Sequence, residues 1–321
     1  MAVNIDNISW AEKYRPKTID EVILPTSLKK KVKSLIKNDN IPNMIFHSTS
    51  PGTGKTSLAL AICNELGYDV LMINGSNEGR LIDTLRTKVT NFASSVSLEG
   101  NKKCVIFDEA DYIPEETVQP ALRNFMEEFD KLGVAFIFTA NNVNRIIEPL
   151  RSRCSTIDFS FDKKDVSKLK LEIAKKSLDI LKAENITIES DEILPTMIQK
   201  LFPDNRKLIN ELQFKTADGK LDSSALTNIA DKSELVELIT LLKGKNFKSI
   251  REWVALHPYI DLQTISSYLY NNMLKITKAT TAPEFIIILA DWSYKQSFMA
   301  DKELAITAML VDLITQIELT D

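Results

Sequence analysis

Two groups of residues in this chain have the types and spacing to do chemistry on a phosphate. The first is Gly52-Thr53-Gly54-Lys55-Thr56-Ser57. Small residues there let backbone N–H groups converge on phosphate oxygens, Lys55 can reach the β- and γ-phosphates, and the Thr56 hydroxyl can ligate Mg²⁺. The second is the adjacent pair Asp108-Glu109. Asp108 can hold a hydrated Mg²⁺, and Glu109 is placed to polarise an attacking water as general base. Asn141, a polar amide after a buried run, could orient that water or sense a γ-phosphate, although a strand-end turn would also explain an Asn there.

The elements that must position these groups follow from apolar patterning. Met44-Ile45-Phe46 reads as a buried strand before the Gly-containing turn, and Leu58, Ala59, Ala61, Ile62 and Leu66 mark a helix after it. A helix N-terminus behind the turn adds its positive dipole end to the phosphate cradle. One departure is that Thr49 stands where the usual phosphate-loop pattern begins with Gly. Val70–Ile73, Cys104–Phe107, Val134–Phe138 and Thr156–Phe159 read as four further strands. Between them, Leu81, Leu85, Val89, Phe92 and Val96 form a core stripe on one helix, and Glu115–Phe129 forms another helix, displaying Gln119 and Arg123. Strands alternating with helices imply a doubly wound parallel sheet with its ligand at the strands' C-terminal ends.

From Asp162 the pattern is nearly all helical, with breaks near Glu184-Asn185, Phe202, Asp218-Gly219 and Ile229–Lys232. Arg206 falls near a helix N-terminus, where a cation opposes the helix dipole. A ligand phosphate would relieve that cost, and solvent would do so less specifically. The last 90 or so residues carry no paired acids or Gly-rich loop, and their apolar positions read as core or as an oligomer contact. The expected organisation is therefore 1–160, 161–230 and 231–321.

Composition narrows the classes. The chain has 321 residues, 44% apolar and 26% charged, with net charge −4. That is ordinary globular composition with no global positive field for nucleic acid, so any DNA contact requires a local basic strip. The lysines at 29, 30, 31, 33 and 37 read as a solvated helix face. Cys63, Cys104 and Cys154 lack metal-ligand spacing, and Cys63 and Cys104, in apolar helix and strand patterns, read as buried reduced thiols. Apolar runs such as Phe285–Ala290 are too short for a membrane span, and the N-terminus lacks a secretory pattern. A cytosolic protein is expected.

The arm Trp10-Ala11-Glu12-Lys13-Tyr14-Arg15-Pro16 has two readings: an exposed Trp and Tyr packing the arm on the core, or a cover over the adenine side of a nucleotide pocket. With this arm, Ser50–Thr56, Asp108–Asp111, Ala121–Glu127, Thr139-Ala140-Asn141 and Ile147–Cys154 in order, the chain resembles the AAA+ clamp-loader ATPases. The likeness is strongest to the large subunits of T-even-type phage loaders and to about residue 215. The resemblance implies an AAA+ P-loop domain, a small helical lid and an all-α collar, with ATP and Mg²⁺ as cofactors. Glu12, Lys13, Tyr14, Arg15 and Ile23 would line the nucleotide with the phosphate loop. Asn141 would sense the γ-phosphate and Arg206 would touch the nucleotide in cis. Arg153 would reach a neighbouring subunit's ATP, assisted by Arg123, and Arg80 would hold Glu109 unproductive until DNA arrives. The implied partners are further copies of the chain, a smaller loader subunit, a ring-shaped sliding clamp and primer–template DNA, in the host cytoplasm if phage-encoded. Val96–Leu98 is the candidate clamp contact. A non-hydrolysing scaffold subunit is disfavoured by the intact Lys55, Asp108 and Glu109. A small-molecule phosphotransferase is disfavoured by Arg153 and the collar-like tail.

Overall fold

A computed structural model of the chain describes residues 9–36, 40–77, 82–95, 100–222, 232–278 and 280–320. Arg80 and the Val96–Leu98 segment lie outside the described residues. The chain forms two compact units, Met1–Ala225 and Leu226–Asp321.

The first unit runs α1 (Trp10–Lys13), α2 (Thr26–Leu35), β1 (Met44–His47), α3 (Lys55–Glu65), β2 (Asp69–Asn74), α4 (Ile82–Ser94), β3 (Lys103–Asp108), α5 (Gln119–Asp130), β4 (Val134–Ala140), α6 (Glu148–Arg151) and β5 (Ser155–Asp158). The five strands form a sheet in the order β2-β3-β4-β1-β5, every neighbouring pair parallel. Side chains alternate across a strand, and here both faces are covered. Met44 and Phe46, Cys104 and Ile106, and Ala135 and Ile137 enter a core with Leu58 and Ile62 of α3. Ile45, Val105, Phe107, Phe136 and Phe138 enter the opposite core with Leu85 and Val89 of α4 and Leu122 and Phe125 of α5. β4 is buried at all seven positions, which is why it reads as an unbroken apolar run. The parallel arrangement brings the C-terminal ends of β1, β3 and β4 to one edge.

Several element boundaries differ from expectation, two of them as follows. α5 begins at Gln119 rather than Glu115. Pro120 has no N–H to bond back to residue 116, so it can stand only in a helix's first turn. The Val118 and Gln119 N–H groups both turn back to the Pro114 carbonyl instead. β5 starts one residue early, at Ser155, while the Phe159 N–H still donates to the His47 carbonyl at 2.8 Å.

The same unit continues with α7 (Lys163–Ala183), β6 (Thr187–Ile188), α8 (Ile193–Leu201), α9 (Asn205–Lys215) and β7 (Lys220–Leu221). β6 and β7 pair in parallel, an element too short to leave a periodic trace. Asp204 caps α9 by accepting the Lys207 N–H at 2.9 Å.

In the second unit, α10 (Lys232–Lys243), α11 (Phe247–Leu256), α12 (Leu262–Asn271), α13 (Met273–Ile276), α14 (Ala282–Lys295) and α15 (Lys302–Gln316) close around Leu238, Leu242, Trp253, Phe285 and Leu310. Asn246, Asp261 and Asp301 cap α11, α12 and α15 through their side chains, each cap contributing about 1 kcal/mol. Among the described residues no helix is long and apolar enough to cross a membrane.

Candidate nucleotide site

The turn between β1 and α3 is shaped by two glycines in left-handed conformation, Gly52 (φ 66°) and Gly54 (φ 97°), a region closed to most residues with a Cβ. Together they turn the backbone into the first turn of α3, whose first residue is Lys55. Gly52 also meets α9: a Cβ there would overlap the Asp204 carboxylate, and the Asn205 N–H donates to the Gly52 carbonyl at 3.2 Å.

One cavity collects most of the sequence-predicted residues. Gly52, Thr53, Gly54, Lys55, Thr56 and Ser57 line it from the turn, Asp108 and Glu109 from β3, and Asn141 from the end of β4. Arg206 and Ile209 reach it from α9, and Ala11, Tyr14, Arg15, Pro16, Val22 and Ile23 from the N-terminal arm. Two expected nucleotide residues are not there. Glu12 instead pairs with Arg15, and Lys13 pairs at 2.7 Å with Glu184, the cap residue of α7. In a four-residue helix, successive side chains point in different directions, and positions 12 and 13 point outward. Trp10 is 8% exposed rather than solvent-facing, and its backbone N–H donates to the Gln213 side chain at 2.9 Å.

Within the cavity Lys55 is buried. Its Nζ donates to the Asn141 Oδ1 at 2.9 Å and to the Ser50 carbonyl at 3.2 Å. Burial lowers its pKa from the ordinary lysine value, with Asp111 and Asp108 opposing and Arg206 adding to the shift. An anionic phosphate beside it would favour the charged form and oppose that shift. Asp108 Oδ1 accepts two hydroxyls, Thr56 Oγ1 and Thr139 Oγ1, both at 2.6 Å. A carboxylate touching a hydroxyl is an all-oxygen donor set, which suits Mg²⁺. The Thr53 hydroxyl is buried with no hydrogen-bond partner, an unmet polar atom that a phosphate would satisfy.

Glu109 adopts φ 55°, ψ 45°, a left-handed conformation that costs a residue with a Cβ of order 1–3 kcal/mol. Neighbours on both sides hold it. The Gly75 N–H donates to the Asp108 carbonyl at 2.7 Å, and a Cβ on Gly75 would overlap the Glu109 carbonyl. Gly75→Ala is therefore expected to displace Glu109, lowering turnover while ATP still binds. Steady-state kinetics beside equilibrium nucleotide titration checks this.

Sequence reasoning assigned no role to Asp111, Thr139, Gly75 or Asp204. Asp111 is 5% exposed, and its Oδ2 accepts the N–H groups of Asn141 (3.2 Å) and Asn142 (3.1 Å). Asp111→Ala leaves both donors unpaired. It is expected to destabilise the fold by about 1–3 kcal/mol, read as a lower midpoint in thermal unfolding.

Arg123 and Arg153 line no part of this cavity. Both turn to Glu127 on α5. Arg153 Nε and Nη2 meet Glu127 Oε1 at 3.1 and 2.5 Å, Arg153 Nη1 donates to the Pro149 carbonyl at 2.9 Å, and Arg123 Nε stands 3.6 Å from the same carboxylate. Arg153 holds the Glu127 carboxyl below its usual pKa.

A parallel α/β sheet with a phosphate loop, an acid pair and a polar strand end around one cavity defines a P-loop nucleoside triphosphatase. The family model described as "ATPase family associated with various cellular activities (AAA)" matches residues 45–161. The model described as "Sliding-clamp-loader large subunit, AAA+ ATPase lid domain" matches 165–227. The chain is 39% identical over 243 residues to the sliding-clamp-loader large subunit of Escherichia phage RB69, covering 75% of each protein. It is 38% identical, with the same coverage, to that of Enterobacteria phage T4. Replication factor C small subunit 1 of Pyrobaculum aerophilum is 32% identical over 95% of this chain and 93% of its own. A solved structure of a Thermotoga maritima RuvB variant shares the fold, with a TM-score of 0.53 at 17% identity, over 79% of this chain and 85% of that one. The chain belongs to the clamp-loader family of AAA ATPases, and it is an ATP hydrolase.

Proposed function

We propose that the chain is the ATP-hydrolysing subunit of a sliding-clamp loader. ATP binding assembles copies of it, with a smaller loader subunit, into a spiral that opens a ring clamp at primer–template DNA. DNA-triggered hydrolysis then releases the clamp. The proposed organisation is an ATPase domain (1–160), a lid (161–230) and a collar (231–321), working in the cytoplasm of the host cell.

The observation that carries this reading is a division of labour. Lys55, Thr56, Asp108, Glu109, Asn141 and Arg206 converge on one cavity, while Arg153 lies outside it on Glu127. A site so arranged has the groups for binding, Arg206 among them, and leaves Arg153 free to serve the nucleotide of a second copy as the guanidinium for transition-state charge. Lys55 would leave Asn141 Oδ1 for the β- and γ-phosphates and free that amide to sense the γ-phosphate. Glu109 would take the proton of the attacking water. Tyr14, Arg15 and Ile23 would wall the base, and Arg206 would touch the phosphates in cis. Thr56 and Asp108 would hold Mg²⁺, which neutralises charge on the phosphate oxygens. Arg80 is proposed as the residue that restrains Glu109 until DNA binds.

The test is ATP turnover by the assembled subunits, with and without primed DNA and clamp. Strong stimulation by both together is expected. Full-rate turnover by dilute single copies, indifferent to DNA and clamp, would overturn the reading.

A further inference from the structure

We infer that Thr139 is a positioning residue for hydrolysis, joining the tips of β3 and β4 and setting Asp108 and Glu109 at once. The inference rests on the proposed roles of those two acids and adds a residue to them.

The backbone ladder between β3 and β4 ends at the Phe107–Phe138 pair. One residue on, the Thr139 side chain supplies the next rung. Its Oγ1 donates to Asp108 Oδ1 at 2.6 Å and accepts the Glu109 N–H at 3.1 Å. A hydroxyl carries a single proton. Since the Glu109 N–H can only donate, that proton must go to Asp108, which fixes the direction of both bonds. Thr139 is 2% exposed, so water cannot replace its hydroxyl.

Two consequences follow. Asp108 Oδ1 is anchored by two hydroxyls, Thr56 from α3 and Thr139 from β4, which sets the carboxylate's rotation. The left-handed backbone of Glu109 is held by the Thr139 hydroxyl on one side and by Gly75 against its carbonyl on the other. Loss of the hydroxyl leaves an unpaired N–H at Glu109 and frees the carbonyl–carboxylate segment to relax toward an unstrained conformation.

The experiment compares Thr139→Val, which keeps shape and removes the hydroxyl, with Thr139→Ser, which keeps the hydroxyl, in the full chain assembled with clamp and primed DNA. Thr139→Val is expected to lower kcat by about 10–100-fold, the usual scale for losing an outer-shell partner, and to raise the Mg²⁺ concentration needed for half-maximal rate. ATP affinity measured in EDTA should stay at the wild-type value, and Thr139→Ser should restore most of the rate. Wild-type kcat and Mg²⁺ dependence in Thr139→Val, or a Thr139→Ser as slow as Thr139→Val, overturns the proposal. Equal losses of kcat and EDTA-measured affinity also overturn it, because they mark a collapsed site rather than misplaced acids. If Thr139→Val does not fold, Thr139→Ser against Thr139→Ala carries the same comparison with the same outcomes. Glu109→Gln runs alongside: at full speed it rejects Glu109 as base, and Thr139's role falls with it. An inactive Glu109→Gln beside a normal Thr139→Val rejects the Thr139 inference alone.

Discussion

Glu109→Gln will bind ATP and keep it. The amide preserves the shape of the side chain and should leave the backbone hydrogen bond from Glu109 to Thr139 in place. It cannot take a proton from water, so the chemical step should slow by about 10²–10⁴-fold, the ordinary contribution of a general base. ATP affinity should hold, because Lys55, Thr56 and the glycine turn are untouched. Rapid quench on pre-bound ATP separates the two quantities. A variant that turns over at the wild-type rate with clamp and DNA present rejects Glu109 as the base.

Arg153→Ala should give a loss of the same kind by a different route. An arginine finger contributes roughly 10³–10⁵ in rate, and the side chain lies outside its own copy's cavity. Binding to a single copy should therefore be nearly unchanged, while turnover in the assembly collapses. Mixing Arg153→Ala copies with Glu109→Gln copies distinguishes a lent guanidinium from a local one. An Arg153→Ala site next to a Glu109→Gln copy has its own base and a borrowed arginine, so partial activity should return. No recovery on mixing, or normal turnover by the single variant once assembled, defeats the assignment.

Much of the fold and site could be read from the chain because the relevant signals are local. Cys104–Phe107 followed by two acids is a strand with its chemistry at the tip, and no distant residue alters that reading. The glycines before Lys55 announce a backbone that few other residues can adopt. What stayed hidden depends on partners far along the sequence. Thr139 matters because parallel pairing sets it beside Asp108, 31 residues earlier. Asp204 matters because α9 docks on the phosphate turn, and Asp111 because its carboxylate reaches the end of β4. The N-terminal arm was legible only in part. Tyr14, Arg15 and Ile23 reach the cavity, but the direction of Glu12 and Lys13 is set by Arg15 and by Glu184, the cap residue of α7. Arg206 illustrates the opposite case: a cation at the unfavourable end of a helix singled out a residue that the fold brings to the cavity.

The N-terminal arm works as a strap with two buckles. At one end Trp10 and Lys13 fasten to α9 and α7, while further along the Ile19 N–H fastens to Glu65 on α3 at 2.8 Å. Between the buckles run Tyr14, Arg15 and Pro16 of the cavity wall, on the side proposed for the base. With the base placed there as proposed, cutting either buckle is expected to shorten the dwell time of ADP more than it weakens the grip on phosphate.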